Sequence, residues 1–268
     1  MKKLLNHRSL RNRVARCVSV FVAAALVTGC VSINRLREAQ DAFNQAAAAE
    51  NAVRIDATPA EATASLTSIS SGYASALLSL NKISSGDEQS LQSDGLWGTA
   101  LTLKALCQWR LGQYSAALSN AEVAQEFATN QIYPRDQALL IALPGLIKTD
   151  QAYTKILGGA PFADVEALLV GPMGAVSDLQ KARASVDKNH PVHVYLIQAQ
   201  LAIYRNYTVA EDRLNHQATV PANSPARANA VSQLAELNDL LKKQKADGPS
   251  RQLVTYWAYL CGLGPPAP

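Results

Sequence analysis

The chain has 268 residues, 48% hydrophobic and 17% charged, a composition that suits a folded globular protein and excludes a disordered one. Its formal net charge of +4 is unevenly spread. Lys2, Lys3, Arg8, Arg11, Arg13 and Arg16 precede residue 30 with no acid among them, so the remainder holds 19 basic residues against 21 acids, about −2. The basic excess belongs to a leader, and nothing argues for a nucleic-acid partner.

After the basic stretch, Cys17 to Val27 is an apolar run broken only by Ser19. It has the length of a signal-peptide core and is too short for a membrane-spanning helix, which needs about 20 residues. Val27-Thr28-Gly29-Cys30 comes next. An aliphatic residue, two small residues and a cysteine resemble the lipobox of bacterial lipoproteins. Thr28 is a less usual small residue there, and the basic region is long. The resemblance implies that residues 1–29 are a removed signal peptide and that Cys30 carries diacylglycerol and palmitate. Val31 stands where an Asp would retain the protein at the inner membrane, which implies an outer-membrane lipoprotein facing the periplasm. The competing reading is an uncleaved anchor in which Cys30 is incidental.

Taken in order, residues 33–53 read as a helix, with Ile33, Leu36, Phe43, Ala46, Ala47 and Val53 at helical spacing and Ser32 as N-cap. Thr58-Pro59-Ala60-Glu61 is a helix start, a capping box with proline at the first helical position. That helix is expected to end near Ile83. Asp87 to Asp94 reads as a polar link.

Trp97 to Phe127 holds two helical patterns that meet at Leu111-Gly112-Gln113-Tyr114. Gly112 can adopt the positive φ that ends a helix, and Ala105, Ala117 and Ala124 permit close helix approach. With Leu101 as the first large apolar position, the segment resembles a tetratricopeptide repeat, two antiparallel helices in about 34 residues. Ala121 stands where that family often has Phe or Tyr, and Thr129 where Pro is usual. Ala39, Phe43 and Ala46 have the spacing of a second repeat helix. Val194 to Leu214 reads as a degenerate copy, with Gln198 and Arg205 in place of the small residue and the glycine. The resemblance implies a groove lined by the first helix of the pair, here Thr99, Thr102, Leu106, Trp109 and Arg110. Trp and Arg often anchor interfaces; the alternative is that Trp109 packs inside. The family's Lys/Asn carboxylate clamp is not present.

Pro134 and Asp136 start a helix that Leu143-Pro144-Gly145 is expected to kink or break. A second run reaches Ile156, a short helix covers 163–170, Gly171-Pro172 breaks again, and 173–186 resumes. Asn189-His190-Pro191 starts a helix to about Asn206. Ser224-Pro225 starts another, with Val231, Leu234, Leu237 and Leu241 as its apolar stripe and lysines in its last turn. Ser250 opens the last helix, which carries Leu253, Trp257, Leu260 and Cys261.

Catalytic signals are weak. His190 and His193 lie three apart with Asp187 nearby, but a metal site wants further ligands at matched spacing, and a helix start explains the stretch better. His216 has no obvious companion. Asp87-Glu88 and Glu211-Asp212 read as solvated or helix-start acids. No nucleophile elbow, zinc-protease motif or phosphate loop occurs. Cys107 and Cys261 leave two readings, one disulfide or two buried thiols.

The sequence therefore predicts an all-α fold of antiparallel helical hairpins. The repeat resemblance makes it a tetratricopeptide-like right-handed solenoid with divergent repeats, in one domain over residues 30–268. The expected function is a non-enzymatic, membrane-anchored periplasmic adaptor or assembly factor that binds an envelope protein. No metal or cofactor is expected. The alternative is a helical small-ligand-binding lipoprotein accessory to a solute transporter, suggested by the broken middle (Leu143–Gly174).

Overall fold

The computed structural model describes residues 31–52, 59–83, 85–131, 133–214, 225–243 and 248–263. Every regular element among them is a helix, as the scarcity of strand-type alternation predicts. The chain divides into two compact units, Met1–Asp136 and Gln137–Pro268.

The first unit holds α1 (Val31–Asn51), α2 (Pro59–Asn81), α3 (Ser85–Ser93), α4 (Trp97–Arg110) and α5 (Tyr114–Gln125), then a 3-10 turn at Ala128–Asn130. Pro59 is the first helical residue of α2, where its missing N–H costs no hydrogen bond. Thr58, the expected cap, lies outside the described residues. α1 and α2 form a close pair because Gly72 faces Ala46: a Cβ on Gly72 would stand 2.8 Å from that of Ala46. Phe43 and Tyr73 pack in the same seam with ring centroids 5.3 Å apart. α4 and α5 form the expected hairpin. Gly112 has φ +74° at the turn, and Ala105, Ala117, Ala121 and Ala124 are all buried. The small Ala121 at the seam allows the approach that a larger ring would block.

Asp87 to Asp94 is not a link. α3 forms there because Asp87 and Glu88 fall in its first turn, where acids complement the helix dipole, and Leu91 is fully buried. α3 packs on both α1 and α4.

The second unit holds most of α6 (Pro134–Leu157), then α7 (Phe162–Val170), α8 (Ala175–Ala184), α9 (Val192–Leu214), α10 (Pro225–Lys243) and α11 (Gly248–Leu260). α6 runs through Pro144 without a break, against the sequence expectation. An interior proline costs about 3 kcal/mol. Leu139, Leu140 and Leu143 before it, and Leu146 and Ile147 after it, are all buried at roughly 1.5–3 kcal/mol each, so burial on one continuous helix outweighs the proline. α9 likewise runs to Leu214 with no turn at Arg205, so the degenerate repeat expected there is a single helix. Thr208 bonds back to the Tyr204 carbonyl (2.9 Å) and Asn206 to the Thr149 carbonyl (3.1 Å), which accommodates both polar residues within the helix. In α10 the buried stripe is Ala226, Ala230, Leu234, Leu237, Leu240 and Leu241, whereas Val231 faces solvent. The last helix opens at Gly248 rather than Ser250. Its end is capped by Gly262 at φ +69°, whose carbonyl accepts from Arg227 at 2.8 Å.

Each unit is organised around one helix. α4 packs on α1, α2, α3 and α5; α9 packs on α7, α8, α10 and α11.

Candidate functional site

The predicted groove face of α4 is not a surface. Thr102, Leu106 and Trp109 are buried, Trp109 to 3% of its area; Thr99 is half-buried. α4 is enclosed by four helices and has apolar residues on all its sides, so the face that a bare hairpin would offer to a partner is core. Trp109 and Arg110 have a different role. The Arg110 side chain is 2% exposed and lies over the Trp109 ring, 5.2 Å from its centroid. Its guanidinium stands 3.6 Å from the Glu50 carboxylate at the end of α1. The other Glu50 oxygen accepts from the Tyr73 hydroxyl at 2.7 Å. Three helices are thus tied by one carboxylate. Burial pushes the Tyr73 phenol well up; Arg110 opposes this and Glu50 reinforces it, so Tyr73 is a hydrogen-bond donor and not a proton-transfer group.

Both body cysteines are free and buried, so they are two separate thiols and not a disulfide. Burial pushes each thiol up to about 12, so neither is a nucleophile. His190 serves the start of α9, its Nδ1 accepting from the Val192 N–H at 3.2 Å, while His193 is buried within the helix. Among the described residues no group of three His, Cys, Asp or Glu side chains could hold a metal, and no helix is long and apolar enough to cross a membrane. Cys30 and His216 lie outside the described residues.

The second unit contains an arrangement that the sequence did not suggest. Lys148 lies on α6 amid a leucine-rich run, yet its side chain is only 10% exposed. Its ammonium donates to Asp178 Oδ2 on α8 at 2.7 Å and to the Met173 carbonyl at 2.7 Å. Gly145, one turn earlier, lets α8 come close: a Cβ there would lie 3.0 Å from the Ala175 carbonyl oxygen. The turn between α7 and α8, Gly171-Pro172-Met173-Gly174, is also closed by the Gly174 N–H donating to the Gly171 carbonyl at 2.8 Å. Met173 projects from it with 74% of its area exposed, and the preceding Val170 is exposed too. The turn therefore presents an apolar side chain on a backbone clamped from beneath by a buried charge pair. Such a site can dock a partner without losing loop entropy; it has no acid–base or nucleophilic capability of its own. Its signal in the sequence is a lysine inside an apolar helix and a methionine between Gly-Pro and Gly.

Two further polar ties hold this unit. Arg183 on α8 donates to Gln200 on α9 (2.6 Å) and to Gln233 on α10 (2.8 Å), and also pairs with Glu236. The Tyr207 hydroxyl on α9 donates to Glu166 on α7 at 2.7 Å. Burial, together with the Glu166 hydrogen bond and the Glu166 and Glu211 charges, pushes that phenol up.

No protein family, no curated protein and no solved structure matches the chain.

Proposed function

We propose that this chain is an outer-membrane lipoprotein, tethered through lipid on Cys30 and facing the periplasm, whose helical body binds an envelope protein as an adaptor or assembly factor. The observation that carries the reading is the Val27-Thr28-Gly29-Cys30 box behind a basic, then apolar, leader. The charge distribution supports it, because the basic excess ends with the leader. In this reading residues 1–29 are removed and the protein is a binding module rather than an enzyme.

The α1–α2 and α4–α5 hairpins, each with small residues at the seam, support a tetratricopeptide-like right-handed solenoid of divergent repeats over the first unit. The docking surface shifts from α4 to the clamped turn around Met173, because a preformed apolar projection is what a partner can engage at low entropic cost. The transporter-accessory reading rested on a broken middle, Leu143–Gly174; α6 is continuous at Pro144, while the breaks after Leu157 and Val170 remain.

Two measurements test the proposal. Labelled palmitate is expected to enter the wild type and not Cys30→Ala, and globomycin to accumulate the unprocessed precursor. Equal labelling of both proteins would end the lipoprotein reading. Site-specific crosslinking from position 170, exposed just before the turn, in intact cells and resolved by mass spectrometry, is expected to give one dominant envelope partner that Met173→Ser loses. Crosslinks that are unchanged in Met173→Ser would remove the turn from the interface.

A further inference from the structure

We infer that the first unit is seated directly on the bilayer headgroups, without a spacer between lipid and fold. The seating rests on the proposed lipidation of Cys30 and is set by the residues immediately after it. α1 begins at Val31. Ser32 is already fully buried and Leu36 is in the core, so the chain enters the packed body two residues after the cysteine. Two residues of chain span at most about 7 Å. A thiol whose lipid lies in the membrane therefore holds the α1 start within about 10 Å of the interface.

The remainder of that end of the unit is fixed by contacts. Arg35, one turn into α1, donates to the Lys82 carbonyl just past the end of α2 and pairs with Asp87 of α3 at 3.4 Å. The end of α2 and the start of α3 are thus carried to the same place. The exposed side chains there suit a headgroup layer. Asn34, Arg37, Glu38 and Lys82 are exposed and polar, two cations and one acid. Leu78, 56% exposed, lies one helical turn before Lys82 on the same face, which places an apolar side chain beside a cation, the pairing that favours a membrane interface. α1 spans about 30 Å over its 21 residues, so its far end can stand well clear of the lipid.

The test uses the full lipidated protein in vesicles of phosphatidylethanolamine and phosphatidylglycerol with nitroxide-headgroup lipid. A fluorophore is placed on Asn34→Cys or on Ala48→Cys. Both positions are exposed, on nearly the same face of α1 and about 21 Å apart along its axis; the native thiols are buried. Quenching is expected to be several-fold stronger at 34 than at 48. A Gly/Ser insert of about fifteen residues after Cys30, reaching roughly 20 Å, is expected to erase the difference. If lipid is attached but both labels quench equally, or the insert changes nothing, the direct seating is wrong and the lipoprotein reading stands. If no lipid is attached to Cys30, the lipoprotein reading itself has failed, and the seating fails with it.

Discussion

Lys148 offers the sharpest test of the clamped turn. Its ammonium lies 2.7 Å from both Asp178 Oδ2 and the Met173 carbonyl, with the Lys148 and Asp178 side chains 10% and 9% exposed. Removing one member of a buried pair typically costs about 3–5 kcal/mol, because the other charge is left desolvated. The two sides of this pair are not equivalent. Lys148→Met leaves Asp178 with the Lys181 ammonium at 3.4 Å, on a side chain more than half exposed, so the expected cost is at the low end, about 3 kcal/mol. Asp178→Ala leaves the Lys148 ammonium, among the described residues, with the Met173 carbonyl and removes a first-turn acid from α8, so about 4 kcal/mol is expected. The double variant has no charge left to orphan and is expected to lose less than either single change. Hydrogen–deuterium exchange of peptides covering 171–184 reads the effect locally. About 3 kcal/mol corresponds to roughly a hundredfold faster opening. Single variants that exchange like the wild type, or a double variant whose loss is the sum of the two, would refute the argument that this pair holds the turn.

Trp109→Ala is expected to destabilise the first unit by about 3–5 kcal/mol in urea unfolding, as a large core truncation, and to leave partner crosslinking from position 170 intact in whatever fraction stays folded; selective loss of binding at unchanged stability would restore the groove. Gly72→Ala is expected to cost about 1–3 kcal/mol despite the better helix propensity of alanine, because its Cβ meets that of Ala46 at 2.8 Å. Adding Ala46→Gly should recover part of that loss, and a stabilised Gly72→Ala would show that the α1–α2 seam has room to spare. Stability should also fall above pH 9. The folded thiols of Cys107 and Cys261 titrate near 12, against an ordinary 9.0, so their contribution is complete below pH 9 and lost as pH rises through 12. At pH 10 that loss is on the order of 1 kcal/mol per thiol, and Cys107→Ala/Cys261→Ala should flatten urea midpoints between pH 9 and 10. An unchanged slope in the double variant would assign the decline to other groups.

The helix starts were legible where proline writes them locally, whereas Ser32, the expected cap of α1, lies inside a helix that begins at Val31. Pro59, Pro134 and Pro225 each open the helix they were expected to open, and the lysines expected in the last turn of α10 are there at Lys242 and Lys243. The misread segments are those where packing overrides the local signal. Pro144 looks like a break, but five buried Leu and Ile side chains on its two sides keep α6 whole. Asp87 to Asp94 looks like a link because a single apolar residue, Leu91, sits among polar ones, and that one is fully buried. Arg205 has no breaker beside it, so α9 continues.

The α4 error has a more general cause. A hairpin template assigns one face of a helix to its partner and leaves the other for a ligand. α4 has Ala100, Leu101, Leu103, Ala105, Leu106, Cys107 and Trp109 in ten residues, which covers every direction around the axis. Such a helix must be enclosed, and Arg110 at its end must find an acid, which Glu50 supplies. α9 obeys the same rule from Val192 to Tyr204. Each unit therefore has at its centre a helix buried on nearly every side, and a binding surface must lie on the helices and turns outside it. Lys148 belongs to the same logic from the opposite direction. A cation in the run LLIALPGLIK can remain in an apolar environment only if something polar is brought to it. What is brought is Asp178 and the carbonyl of Met173, and the turn that carries Met173 is thereby fixed in place.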